Sequence, residues 1–79
     1  MIEQEVKQVV LESLRIAEAE YSEELAAGDI PAWDSLGHVN LLMAIERHFH
    51  IVFDVADAID IETVGDLIET VKRYAPEQT

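Results

Sequence analysis

The stretch Trp33-Asp34-Ser35-Leu36-Gly37-His38, with the segment it opens as far as Phe49, decides how this chain is read. Asp34 and Ser35 are both strong helix N-cap residues. Beyond them, at about 100° per residue, Leu41, Leu42, Ile45 and Phe49 share one face of a helix expected over 35–49. Asn40 and Arg47 lie opposite. Leu36 and Met43 also point away from the core stripe, and Val39 sits at its margin. Three apolar residues beside Ser35 suggest a docking patch, although single exposed apolar residues are ordinary on protein surfaces. Trp33 either staples the chain against the start of this helix or lies partly exposed next to Ser35.

Upstream, Ile2, Val6, Val9, Val10, Leu14 and Ala17 fall on one face of a helix expected over about 2–19. Its opposite face is polar and acidic, which does not suit a membrane surface. Between Glu20 and Trp33 the periodicity breaks. Gly28-Asp29 and Ile30-Pro31 are turn signals. Tyr21, Leu25 and Ile30 are expected to fold back on the core and tether this loop.

Downstream, His50-Ile51-Val52-Phe53 reads as an apolar connector, because a lone strand has no partner. Asp54 is placed to cap a short helix over 55–59. Thr63, with Asp66 three residues on, resembles a capping box. Val64, Leu67, Ile68, Val71 and Tyr74 form the stripe of a last helix over 63–74. Lys72 and Arg73 suit its C-terminal end, Pro76 stops it, and Glu77 to Thr79 should fray. The expected fold class is all-α: a small bundle of three amphipathic helices plus one short helix.

The 79 residues make one domain, 1–79, with 49% hydrophobic residues, enough for a packed core. The 17 acidic and 5 basic residues leave a formal net charge of -12. Such a surface repels nucleic acid and anionic membrane and favours basic protein partners. No apolar run is long enough to span a bilayer, so the expected location is the cytoplasm. Cysteine is absent, which excludes disulfides and thiolate metal sites, and any thiol chemistry must come from an attached group.

The chain carries little chemistry of its own. Ser35 and His38 stand three apart on a helix, as a nucleophile and base would. But no G-x-S-x-G elbow surrounds the serine, and His38 falls on the core-facing side, where a satisfied histidine is the better reading. His48 and His50 lack the i, i+4 spacing of a helical zinc pair. Asp54, Asp57 and Asp60 lack the spacing of a calcium loop and read as caps and solvated positions. The chain is not expected to be an enzyme or to hold a metal. Gly37 is unusual, because glycine in a first helical turn costs about 1 kcal/mol against alanine. Its use reads as steric, leaving the approach to Ser35 open. The helix N-terminus beside Ser35 also favours a phosphate.

Asp34-Ser35-Leu36 resembles the D-S-L attachment motif of acyl carrier proteins, the phosphopantetheine-binding carrier family. The resemblance extends through WDSLGHVNLLMAIERHF (residues 33–49), Ile51 and Phe53 to Thr63-Val64-Gly65-Asp66-Leu67. Helix one matches only in length and amphipathicity. The resemblance implies that Ser35, flanked by Asp34 and Leu36, receives 4′-phosphopantetheine from coenzyme A through a phosphopantetheinyl transferase. The arm then carries acyl or aminoacyl groups as thioesters. It also implies a monomer that visits loading, condensing or transferring enzymes, and partner-facing roles for Leu36, Val39, Asn40, Met43, Glu46 and Arg47. Carriers of bacterial fatty acid synthesis usually bear several acids along helix two. Here the corresponding positions are Gly37, Asn40, Arg47 and His48, leaving Glu46, and Ile30-Pro31-Ala32-Trp33 replaces the common D-L-G-A approach. These departures imply a discrete carrier in a specialised polyketide, peptide-like or modified-polysaccharide or lipid pathway. The alternative is an unmodified helical protein–protein interaction domain docking through Leu36, Val39 and Met43.

Overall fold

The computed structural model describes residues 1–75; the expectations for Pro76 and for Glu77 to Thr79 lie outside the described residues. Among the described residues four helices follow in order, α1 (Ile2–Leu14), α2 (Ser35–Phe49), α3 (Val55–Asp60) and α4 (Val64–Tyr74), with a 3-10 turn at Glu18–Glu20. Among the described residues there is no extended strand, only one isolated antiparallel bridge between Ala26 and Thr63. The all-α architecture expected from the helical periodicities is the one found.

Helix α1 packs against both α2 and α4. Its buried positions, Ile2, Val6, Val9, Val10 and Leu14, are the residues its periodicity selects. The helix nevertheless ends five residues before the expected boundary at residue 19. Arg15 takes the left-handed conformation at φ 55°, and the amides of Arg15 and Ile16 both close on the Leu11 carbonyl. This Schellman-type stop is usually made by glycine, so Arg15 gives no warning of it in sequence. Ala17 consequently leaves the core stripe and is exposed. Its amide donates to the Glu20 side chain (3.0 Å) in the 3-10 turn that follows.

Helix α2 keeps its expected limits, and Leu41, Leu42, Ile45 and Phe49 are buried as its stripe requires. Its end is another left-handed residue, His50 at φ 59°, with the His50 and Ile51 amides closing on the Glu46 carbonyl. The Glu46 carboxylate then accepts the Phe53 amide at 2.8 Å, holding the 50–53 connector in place.

Helix α3 runs one residue beyond its expected end and buries none of its residues. Asp54 occupies its N-cap position, but the side chain makes no capping bond. The helix is held instead through Tyr74, whose hydroxyl donates to Asp57 at 2.6 Å and accepts the Asp54 amide at 2.9 Å. Asp57, expected to be solvated, is therefore a half-buried tie. Helix α4 begins with the expected capping box: Thr63 accepts the Asp66 amide (3.0 Å), and Asp66 accepts the Thr63 amide (3.3 Å). Val64, Leu67, Ile68 and Val71 are buried, and so is Thr70, whose hydroxyl is satisfied by the Asp66 carbonyl.

The loop between α1 and α2 is stitched to the start of α4. The Ala27 amide donates to Glu62, the Val64 amide to Leu25 and the Gly65 amide to Glu23. Leu25 is buried, and Tyr21 and Ile30 pack against the core, so the loop is tethered as expected. Gly28, at φ 91°, turns the chain and donates its amide to the Trp33 carbonyl at 2.7 Å. Trp33 is fully buried, which decides between its two sequence readings in favour of an anchor. The indole N–H, which needs a partner once buried, donates to His38 Nδ1 at 2.9 Å.

Gly37 has a use in the fold that its sequence position does not show. A Cβ there would collide with the Ala32 carbonyl oxygen, so the missing side chain admits the incoming loop. Gly37→Ala should therefore destabilise the domain by about 1–3 kcal/mol, as overpacking does, despite alanine's better helix propensity. Urea unfolding would measure it; a stabilised variant would show that the loop shifts freely.

The Tyr74 phenol is subject to opposing influences. The Asp54 amide lowers its pKa. The Asp57 hydrogen bond, desolvation and the nearby carboxylates together raise it above its ordinary value. The folded state thus favours the neutral phenol. That contribution is complete below the unfolded pKa of ~10 and is lost as pH rises through the folded value. Tyr74→Phe should lose less stability than the parent chain between pH ~9 and ~11. Equal losses in paired denaturation curves would remove Tyr74 as the source.

Candidate functional site

The first turn of α2 is built by division of labour between neighbours. Asp34 is the N-cap: its Oδ1 accepts the Gly37 amide at 2.8 Å, and its carbonyl accepts the His38 amide. Ser35 is thus the first helical residue and not the cap. It is exposed, and its hydroxyl makes no hydrogen bond among the described residues. The helix end is less open to an anion than its sequence suggested, because the Asp34 carboxylate already takes one amide and places a negative charge there.

Ser35 stands on the rim of a groove of about 510 Å³ lined by Ala27, Gly28, Trp33, Asp34, Ser35, His38 and Ile61. Three chain segments converge on it: the loop before α2, the first turn of α2, and Ile61 in the short link between α3 and α4. The Ala26–Thr63 bridge holds the first and last of these together. Buried Trp33 and Ile61 make its apolar floor. Ala27, Gly28 and Ile61 were not foreseen as site residues. Ile61, a lone apolar residue between Asp60 and Glu62, was the one hint in the sequence.

His38 is half-buried, and its ring lies nearly parallel to the indole, 6.1 Å away at 17°. A satisfied histidine was expected; its partner was not. With Nδ1 engaged by Trp33, the ring is not arranged as a base for Ser35. His48 is paired with Glu5 at 3.0 Å. Among the described residues, no cluster of histidine and acidic side chains is arranged to hold a metal.

The exposed side of α2 carries Leu36, Val39 and Met43 at 69%, 52% and 48% exposure, enough to present their apolar side chains to a visitor. Asn40 and Arg47 are exposed beside them, and Arg47 has no ion-pair partner among the described residues. Glu46 is half-buried and already committed to the Phe53 amide. Val52, Val55 and Ile59, not singled out in sequence, extend the exposed apolar surface from the connector onto α3.

The carboxylates on other faces are partly paired. Lys72 Nζ lies 2.6 Å from Glu3, and that hydrogen bond holds the Glu3 carboxyl below its usual pKa and the Lys72 ammonium above. No helix among the described residues is long and apolar enough to cross a membrane.

The family model for the phosphopantetheine attachment site matches residues 33–71, from the anchor tryptophan through most of α4. The acyl carrier protein of Thermotoga maritima is 35% identical over 68 residues, covering 86% of this chain and 84% of its own length. The holo acyl carrier protein of Geobacter metallireducens, solved by NMR, superposes with a TM-score of 0.83 at 28% identity, over 96% of this chain and 87% of that one. A candidate acyl carrier protein from Mycobacterium tuberculosis gives 0.81 at 26% identity, over 92% and 97%. The chain therefore belongs to the acyl carrier proteins, which bear covalent 4′-phosphopantetheine and act as carriers, not as enzymes.

Proposed function

We propose that Ser35 is the residue that receives the phosphopantetheine and that residues 1–79 work as one monomeric carrier unit in the cytoplasm. The observation that carries this reading is the freedom of the Ser35 hydroxyl. Asp34 does the capping, so Ser35 is exposed and uncommitted within the D-S-L sequence. The residues present fit the group. Ser35 stands on the groove rim, and the roughly 510 Å³ beside it accommodates part of a slender arm. When bound, the arm supplies the terminal thiol that this cysteine-free chain lacks.

In the loading step, the Ser35 oxygen attacks the β-phosphorus of coenzyme A. A P–Oγ bond forms, the pyrophosphate P–O bond breaks, and adenosine 3′,5′-bisphosphate leaves. The serine proton goes to a base of the transferase, which also holds the Mg²⁺. The carrier's share is position: Asp34 fixes the first turn, Trp33 anchors it, and Leu36, Val39 and Met43 offer an apolar face to visiting enzymes. Asn40, Arg47 and the committed Glu46 make the rest of that face.

We further propose that this carrier serves a specialised pathway of polyketide, peptide-like or modified-polysaccharide or lipid assembly. The reading rests on the α2 face, where apolar side chains, Asn40 and a free Arg47 stand in place of an acidic row. Housekeeping ketosynthases and malonyl transferases built for acidic carriers should therefore use it poorly. Turnover as fast as with their usual carrier would overturn the assignment. Exposed apolar residues also suit an unmodified interaction domain, and the mass of the treated protein separates the two.

Incubation with coenzyme A and a broad-specificity phosphopantetheinyl transferase should add one phosphopantetheine to the intact mass, and Ser35→Ala should gain nothing. Because Ser35 is not the cap, Ser35→Ala should change stability by less than about 0.5 kcal/mol, as surface substitutions do. Asp34→Ala should cost about 1 kcal/mol by removing the cap. Loading of Ser35→Ala would refute Ser35 as the attachment point.

A further inference from the structure

The carrier reading leaves one polar group in the groove unexplained. His38 accepts the Trp33 indole N–H on Nδ1 at 2.9 Å. An indole nitrogen only donates, so Nδ1 must be the bare, accepting nitrogen. The neutral ring then carries its proton on Nε2. Among the described residues Nε2 has no partner, and no unpartnered side-chain nitrogen or oxygen is sealed from solvent. The ring lines the groove whose rim holds Ser35, three residues away on the same helix. Helical side chains lean towards the N-terminus, so His38 lies back across the turn that presents Ser35. Apart from the Ser35 hydroxyl, to which the arm is attached, the remaining side-chain walls are apolar or already bonded. Gly28 gives its amide to Trp33, and Trp33 gives its indole to His38. Once Ser35 bears the arm, Nε2–H is the side-chain donor left uncommitted in the groove lining.

We propose that His38 is a positioning residue for the group carried on Ser35: its Nε2–H, fixed in direction by Trp33, hydrogen-bonds an acceptor oxygen of the arm and seats it along the groove. This rests on the carrier reading and deepens it. The bound oxygen is a phosphodiester oxygen or an amide carbonyl, both of which accept from a neutral N–H. Fully buried Trp33 has little freedom to move, so the donor is held ready before the arm arrives.

The experiment uses the full chain labelled with ¹⁵N, as apo protein and after loading from coenzyme A, with intact mass checked first. Long-range ¹H–¹⁵N spectra of the imidazole should show the Nε2–H tautomer for His38 in both forms. The Nε2 resonance and the amides of Ala27, Gly28 and Ile61 should shift on loading. His38→Asn keeps an acceptor near the Nδ1 position for the indole but lacks a donor at Nε2; compared as the fully loaded protein, it should lose the groove shifts. His38→Gln, with an N–H near the Nε2 position but no acceptor for the indole, should recover part of them. A merely structural histidine would give the same loading-dependent shifts in His38→Asn as in the parent chain, and that result would overturn the proposal. An Nδ1–H tautomer in the unmodified protein would overturn it without any variant. A folded parent chain that gains no mass would instead remove the carrier reading itself, and the inference with it.

Discussion

The site depends on burying one indole. Trp33 lies in a loop, yet it is fully enclosed, and its amide, carbonyl and ring nitrogen are all bonded, to Ile30, Gly28 and His38. A tryptophan brings a large apolar surface into the core, on the order of 150–250 Å². Enclosure also obliges its N–H to find an acceptor, because a buried donor left alone costs roughly 1–3 kcal/mol. His38 meets that demand from the first turn of α2. One bond thus fixes the loop, the start of the helix and the floor of the groove together. Ser35, between the two partners in sequence, needs no stabilising bond of its own.

The helices were largely legible because their signals are local. Asp34 and the Leu41–Leu42–Ile45–Phe49 stripe define α2 at both ends, and the Thr63–Asp66 box defines the start of α4. Helix α1 was overrun because its stop uses a left-handed arginine, and Ala17 and Ala19 are good helix formers in any pattern. The groove was not legible, since it exists only where residues 25–28 meet residues 61–65. No periodicity announces a backbone bridge between distant segments. Gly37 shows the same limit: the sequence flagged it as costly, but only the position of the Ala32 carbonyl explains the cost.

The distribution of charge refines what a net -12 means for a carrier. Glu3, Glu5, Glu18 and Asp57 are held by cations or histidine on other faces. The side of α2 beside Ser35 carries apolar groups, an amide and a free guanidinium. On the proposed reading, a long-range acidic field and a locally apolar face do different things: the field would govern approach, and the face which enzyme stays.

The bridge between Ala26 and Thr63 bears on how the molecule is made. It joins backbone on either side of α2 and α3, so closing it carries an entropic cost that helix formation does not. The contacts of α1 with α2 form within the first two-thirds of the chain, whereas the groove requires the start of α4 to arrive. Its walls are therefore complete only once the start of α4 has docked on the loop before α2. A newly synthesised chain can be helical before it can seat anything beside Ser35, which makes the groove a structural mark of completed folding.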